Sequence, residues 1–348
     1  MQFSLTDLQK EIQENAKKLL SERVDLLDLI KKIDDNTRID NELWKLVSEQ
    51  GWLGLDITEE DGGLGFSKVD SSILSEVFGY YIPIVPLFSS GVVFKQLLLH
   101  SPPELKSKIL PEIISGTKIG TFCIYENDKY EINDQNITTV LSKNDKGYVL
   151  NGKKSYVMFG DSSDYFAILA KSDKGFKFVM VDRDTPGITV TETTSLDQTR
   201  PMAEIKLEEA EVSEENFMFD LEDDKNTWNK VKHLSLSFLS MEQVGGAQAC
   251  LDMSTKYAKE RIQFGRPIGS FQAIQHMCAD MLLQIESAKS IAYSSVRVES
   301  DDDIELEMSS SMAKAYCSDV FNKVSGDNIQ VHGGIGSVSY THLTLPTT

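Results

Sequence analysis

The stretch KERIQFGRPIGSFQAIQHMCADM, residues 259–281, decides how this chain is read. A helix is expected to end around Ile262–Phe264. Gly265, Pro267 and Gly269 make a turn, and Ser270 can cap the next helix. Two helix ends and two arginines, Arg261 and Arg266, therefore meet at one loop. Exposed N–H groups and a guanidinium fork can hold a pyrophosphate there. The same residues also suit a plain helix–helix turn with its arginines in solvent.

Working outward, Ile274, Met277, Cys278, Met281, Leu282, Ile285, Ala288 and Ala292 form one apolar stripe. It predicts a long helix from Ser270 to Glu299, flanked by two others over roughly 228–262 and 305–331. Wide stripes on three long helices imply an antiparallel bundle. Upstream, short β-prone runs cover Tyr165–Ala170, Phe176–Asp182, Ile188–Thr194 and Ala203–Val212. Turn residues separate them at Asp173-Lys174-Gly175 and Asp184-Thr185-Pro186-Gly187. In GYVLNGKKSYV, Asn151-Gly152 reads as a hairpin turn. Residues 3–116 read mainly as helices, with Ser4 and Thr6-Asp7 as N-caps, a helix over Asn41–Gln50 ended by Gly51, and a Gly-rich turn region GWLGLDITEEDGGLGFS. The expected class is α+β multidomain. A helical N-terminal domain (1–116) precedes a central small β-barrel or sandwich (117–224). A C-terminal four-helix-bundle domain (225–336) follows, its last helix missing.

Composition narrows the function. Of 348 residues, 54 are acidic and 35 basic, a net charge of −19, so a broad polyanion-binding surface for nucleic acid is excluded. Hydrophobic residues at 41 % supply a large core, which argues against disorder. Cys123, Cys250, Cys278 and Cys317 lie far apart and the five histidines form no HExxH, so neither a metal site nor a disulfide framework is expected. No apolar run reaches about 18 residues, so no membrane span is expected. The N-terminus carries acids, unlike a targeting peptide, and a cytoplasmic location follows.

QVHGGIG, Gln330–Gly336, closes the last long helix with glycines that allow close backbone approach to a ligand, or simply cap the helix. It leaves a helix rather than a strand, so it is not a dinucleotide-binding fingerprint. Taken together, TEEDGGLG near residue 60, ERIQFGRPIGSFQAIQ, QVHGGIG and the helical–β–helical order resemble the acyl-CoA dehydrogenase family over residues 1–336. The resemblance implies FAD as cofactor and an acyl-CoA substrate. It implies a homo- or hetero-oligomer, dimer or tetramer, and an electron-transfer flavoprotein as usual acceptor. The reaction implied is removal of the α-proton by a carboxylate and of the β-hydrogen as hydride to flavin N5.

Carried over by position, Arg261, Phe264 and Gln272 match residues contacting the FAD diphosphate and adenosine part. Gln330, Gly333 and Gly334 match the glycine turn there. In the family these reach the flavin of a neighbouring subunit. On the β side this chain departs from the pattern. Tyr125, within Cys123–Asn127, stands where a flavin-contacting Thr is usual. Tyr156-Val157-Met158 replaces Trp-Ile-Thr. Tyr156 can still cover a ring face, whereas Met158 lacks the hydroxyl. The segment from Tyr80 to Ser90 matches the family's acyl pocket.

No catalytic base is assigned. The usual Glu follows the glycine turn, beyond the end of this chain. The alternative position on the first C-terminal helix holds Ser235, followed by Leu236 in place of Arg. Glu242 is seven residues on, about 10.5 Å of helical rise, too far for a simple replacement. The tail, 337–348, reads as foreign. Its last eleven residues contain four Thr and no acid, and Val338–Leu343 resembles a frame of a transposon-end adapter. Retained distal FAD residues beside altered flavin contacts resemble the weaker subunit of a heteromeric acyl-CoA dehydrogenase, of the kind acting on steroid side chains or dicarboxylic acyl groups. A non-catalytic scaffold subunit and an acyl-CoA oxidase are the alternatives.

Overall fold

A computed structural model describes residues 5–127, 131–145, 147–221, 225–298 and 303–337. Helices come first: α1 Asp7–Arg23, α2 Leu26–Asp34, α3 Asn41–Glu49, α4 Lys68–Tyr81, α5 Lys95–Leu99 and α6 Pro103–Ile114, with a π-helical turn over Leu87–Phe94 leading into α5. Thr6 caps α1 in a reciprocal box with Gln9, and Ser67 caps α4 in one with Asp70. Gln9 Nε2 then donates to Asp70 Oδ1 at 2.9 Å, so the start of α4 also anchors α1.

Eight strands follow in one sheet: β1 Gly120–Cys123, β2 Val140–Asn144, β3 Gly147–Met158, β4 Tyr165–Ser172, β5 Gly175–Asp182, β6 Ile188–Thr193, β7 Met202–Val212 and β8 Phe217–Asp220. Their order is β6-β7-β3-β2-β4-β5-β8, with β1 parallel to β4. Side chains of β4 alternate between two cores, as pleating requires. Tyr165, Ala167 and Leu169 meet Leu105, Ile109 and Ile113 of α6. Phe166, Ile168 and Ala170 meet Leu150, Val179 and Ile205 of the other strands. One face of the sheet thus wraps its own core, as the expected barrel or sandwich does.

The hairpin expected at Asn151-Gly152 is not formed. β3 runs straight through these residues, and the chain turns earlier, between Asn144 and its pairing partner Gly147. Asn151 instead serves a bulge. Its amide accepts from Glu209 N–H at 2.8 Å and donates to Glu209 Oε1 at 2.6 Å, where the β3–β7 register slips. Gly152 is needed for close approach, since a Cβ there would lie 2.5 Å from Thr139 Oγ1.

The last run holds α7 Lys225–Glu260, a two-residue hairpin of β9 Ile262–Gln263 and β10 Arg266–Pro267, then α8 Gln272–Arg297, α9 Asp303–His332 and α10 Gly334–Ser337. The three long helices share one core with the first helices: Ile12, Leu20 and Val77 pack in the same cluster as Met241, Ile285 and Val324. Of the expected stripe, Met281, Ile285, Ala288 and Ala292 are buried, whereas Leu282 is exposed. Ser270 does not cap α8. Its hydroxyl donates to Pro267 O at 2.7 Å, and Phe271 precedes the helix without a side-chain cap. Among the described residues no helix is long and apolar enough to cross a membrane. The tail from Val338 onward lies outside the described residues.

Candidate functional site

Two cavities adjoin where α4, the Ile82–Phe94 segment, the end of β3 and α7 meet. The larger, about 720 Å³, is walled by Phe88, Phe122, Tyr125, Tyr156, Met158 and Trp228, with Ser235 and Leu236 from α7. The smaller, about 330 Å³, takes Phe78, Gly79, Ile82, Val85 and Leu87 on one side and Glu242 and Gln243 on the other. Phe88, Met158 and Leu239 line both, so the two are continuous.

Local backbone chemistry makes the larger wall. The β3–β7 register slips a second time between Lys154 and Val157, leaving Ser155 and Tyr156 opposite one residue. Tyr156 takes φ +56° and Phe159 φ +51°. Such left-handed backbone is costly for aromatic residues, and bulges that re-aim a side chain recur beside functional sites. Tyr156 consequently stands 41 % exposed at the cleft. Thr121 Oγ1 donates to Met158 O at 2.7 Å, and Phe159 N–H donates to Pro201 O at 2.7 Å, which holds this strand end. Burial pushes the Tyr125 hydroxyl above its ordinary pKa, keeping it neutral.

Every carboxylate lining the cavities has a partner. Glu242 is ion-paired with Arg200, Asp197 accepts from the Thr199 N–H at 3.0 Å and its hydroxyl at 2.6 Å, and Glu131 accepts from Asn133 Nδ2 at 3.3 Å. Ser235 is buried, its hydroxyl donating to Val231 O at 2.6 Å within its own helix. Burial lowers the Arg200 pKa, against which Asp197 raises it. Among the described residues no group of three or more His, Cys, Asp or Glu is placed to hold a metal ion.

The remaining candidate residues lie elsewhere. Arg261, Phe264, Gln272, Gln330, Gly333 and Gly334 are all exposed and line neither cavity. They do share one end of the bundle. The Tyr257 ring, one turn before Arg261, stacks on His332 at 4.3 Å, beside the glycine turn, and Ser254 donates to Asn328 Oδ1 at 2.7 Å. The loop expected after α7 is a tight hairpin, with Phe264 at φ +52° and Gly265 at φ +75° as its central pair. Two positive φ values match the strand twist of such hairpins. Phe264 is 92 % exposed and meets Phe271 edge-on at 6.2 Å, while the Arg266 guanidinium lies 4.1 Å above Phe271. No ion pair occupies Arg261 among the described residues. The sequence therefore named two half-sites, and the fold keeps them apart within one chain. It placed Phe88 only within the Tyr80–Ser90 segment and missed Trp228 and Arg200. Single aromatics and a lone arginine carry no spacing signal, and only the fold brings them to the cleft.

A helical, sheet, helical chain whose apolar cleft lies at the junction of its parts is the architecture of a large class of acyl-thioester oxidoreductases. The acyl-CoA dehydrogenase N-terminal domain matches residues 6–117, the middle domain residues 122–210 and the C-terminal domain residues 238–344. The CarC subunit of the caffeyl-CoA reductase-Etf complex of Acetobacterium woodii is 28 % identical over 323 residues, 89 % of this chain and 84 % of the relative. Mitochondrial isovaleryl-CoA dehydrogenase of Oryza sativa subsp. japonica is 30 % identical over 304 residues, 84 % of this chain and 73 % of the relative. The solved complex of glutaryl-CoA dehydrogenase with glutaryl-CoA superposes with a TM-score of 0.88 at 25 % identity, covering 97 % of this chain and 88 % of that one. The chain belongs to the acyl-CoA dehydrogenase family, an oxidoreductase family whose members are FAD flavoproteins.

Proposed function

We propose that this chain takes part in FAD-dependent α,β-dehydrogenation of an acyl-CoA thioester, as one subunit of a hetero-oligomer. The observation that carries the reading is the pair of continuous cavities, with Tyr125, Tyr156 and Met158 on the wall of the larger. FAD, when bound, supplies the hydride acceptor that no side chain can be. The residues present fit such a group: two aromatic faces and a thioether offer apolar, polarisable surface to a flat ring. Met158 offers no hydroxyl to it, which weakens the hold of this subunit. The apolar wall of Phe88, Phe122 and Trp228 excludes water from the reacting carbons.

At the other end Arg261 is suited to a bidentate grip on a diphosphate. Phe264 and Gln272 on the hairpin side and Gln330, Gly333 and Gly334 on the glycine turn complete that half-site. Their exposure and their distance from both cavities support service to a cofactor held chiefly by a neighbouring subunit. Within the smaller cavity Glu242 is held by Arg200 and is not offered as a base. The name of the Acetobacterium relative, a subunit of a reductase-Etf complex, supports an electron-transfer flavoprotein as redox partner.

The test is expression of the full chain alone and together with the product of an adjacent dehydrogenase-like gene. FAD content and butyryl-CoA oxidation with a dye acceptor are then measured. Expected are little flavin alone and stoichiometric flavin with activity in the complex. A yellow, active homo-oligomer would refute the heteromer. A complex that neither holds flavin nor binds acyl-CoA would refute the whole reading.

A further inference from the structure

The smaller cavity is apolar along Phe78, Ile82, Val85 and Leu87 and carries a charged cluster, Asp197, Arg200 and Glu242, in its lining. Arg200 comes from the loop after β6 and Glu242 from the middle of α7, so their ion pair spans the cavity between the sheet and the bundle. Their side chains are only 25 % and 17 % exposed. The guanidinium also lies 6.0 Å from the Phe88 ring centre and 3.8 Å from Asp197 Oδ2. Glu242 cannot retreat from this position. A Cβ on Gly79 of α4 would sit 1.9 Å from Glu242 O, and a Cβ on Gly245 would sit 1.8 Å from Glu76 O, so α4 and α7 touch backbone to backbone on either side of it.

Charge decides what this end of the cavity accepts. Arg200 faces two carboxylates, Asp197 and Glu242, so the cluster already carries one surplus negative charge. A third carboxylate brought in by a substrate meets repulsion in a half-dry site and an arginine whose Nη2 is already paired with Glu242. Glu242 lies about 10.5 Å of helical rise beyond Ser235, at the far side of Leu239 from the larger cavity.

We propose that Arg200 and Glu242 form a specificity-determining cap, which restricts the cavity to uncharged acyl groups and denies Arg200 to acyl groups ending in a carboxylate. This rests on the acyl-CoA reading above. It sets this chain apart from the dicarboxylic option raised by its resemblance to heteromeric members.

The test is calorimetric binding of butyryl-CoA and glutaryl-CoA to the purified protein, in complex with its partner subunit where one co-purifies. The wild type is expected to bind butyryl-CoA at least tenfold more tightly than glutaryl-CoA. Glu242→Gln keeps the side-chain shape and frees Arg200, and is expected to shrink that ratio about tenfold. Adding Arg200→Gln to Glu242→Gln is expected to abolish the gain, while Glu242→Asp retains the wild-type preference. Wild-type affinities within threefold of each other overturn the cap without touching the acyl-CoA reading, and this comparison needs no variant to fold. A ratio unchanged in folded Glu242→Gln also overturns it. Failure of both thioesters to bind the wild type overturns the acyl-CoA reading, and the cap with it.

Discussion

Replacing Gly79 by alanine tests whether the backbone contact between α4 and α7 holds the site together. The new methyl carbon would lie 1.9 Å from Glu242 O, 2.7 Å from its carbonyl carbon and 2.9 Å from its Cα. All three are backbone atoms of a helix, so no side chain can swing aside. Ordinary contact begins at 3.4 Å, so the helices must part by about 1.5 Å along this line. Val77 on α4 and Met241 and Val244 on α7 belong to one buried cluster, which that separation opens. A gap of even 0.5–1 Å forfeits roughly a quarter to a half of a dispersion contact. Overpacking of this kind costs about 3 kcal/mol, the upper end of its usual range, and alanine returns about 1 kcal/mol of helix propensity. The net loss of about 2 kcal/mol lowers the melting temperature by about 3 °C in a chain of this length. Gly326 on α9 is the control: a Cβ there meets nothing within 4 Å, so Gly326→Ala is expected to raise melting by about 1–2 °C. Circular dichroism melts of both variants beside the wild type give the answer. A Gly79→Ala protein that melts at or above wild type would refute the reasoning.

Asp56 lies between Lys95 Nζ at 2.5 Å and Lys68 Nζ at 2.8 Å, nearly fully buried. Burial raises its pKa, but the two lysines outweigh this and hold the carboxyl well below the usual range. Its stabilisation is therefore complete above the ordinary carboxylate pKa of about 3.9 and is lost as pH falls towards the depressed value. Asp56→Asn leaves Lys95 buried and unpaired, and is expected to cost about 3–5 kcal/mol in urea unfolding at pH 7. Phe264→Gly is expected to leave the melting temperature within about 2 °C of wild type or raise it, because it relieves a left-handed aromatic residue on the surface. It should cut flavin retention in the assembled protein at least tenfold, and a drop in melting beyond 4 °C would show the hairpin to be part of the core instead. Burial pushes the Cys317 thiol up to about 12 and raises the Cys123 thiol further. Native protein at pH 8 should leave both unlabelled by iodoacetamide after mass-spectrometric mapping, and label them only when unfolded.

How much of this was legible beforehand depends on the range of the physics at each residue. The bundle was readable because Met281, Ile285, Ala288 and Ala292 repeat at helical spacing and are buried for that reason. The β4 and β5 strands were readable because Asp173-Lys174-Gly175 turns the chain where it does. Asn151-Gly152 misled because the same dipeptide that suits a tight turn also suits a bulge. The choice was made by Thr139 and Glu209, residues far along the chain. Glu242 shows the limit most clearly. Sequence spacing set it two turns beyond Ser235 and gave it no partner. Its real partner, Arg200, comes from the sheet, and no periodicity links a loop residue to a helix 42 positions on.

That same pair explains why the two half-sites should be judged separately. Arg200 is spent inside the cleft on Glu242, whereas Arg261 at the far end of the bundle carries no ion pair among the described residues. In a chain of net charge −19, this exposed arginine carries no ion pair among the described residues, although Glu260 precedes it in the sequence. Charge-assisted contacts with a diphosphate would use it fully, and the left-handed Phe264 nearby makes sense on the same terms, since neither feature stabilises the isolated subunit. The cleft, by contrast, is closed by contacts within the chain, from the Gly79–Glu242 backbone approach to the bulge at Tyr156. On the reading proposed above, the acyl end of the site is built from this chain's own contacts, and the diphosphate end faces outward, for a neighbour.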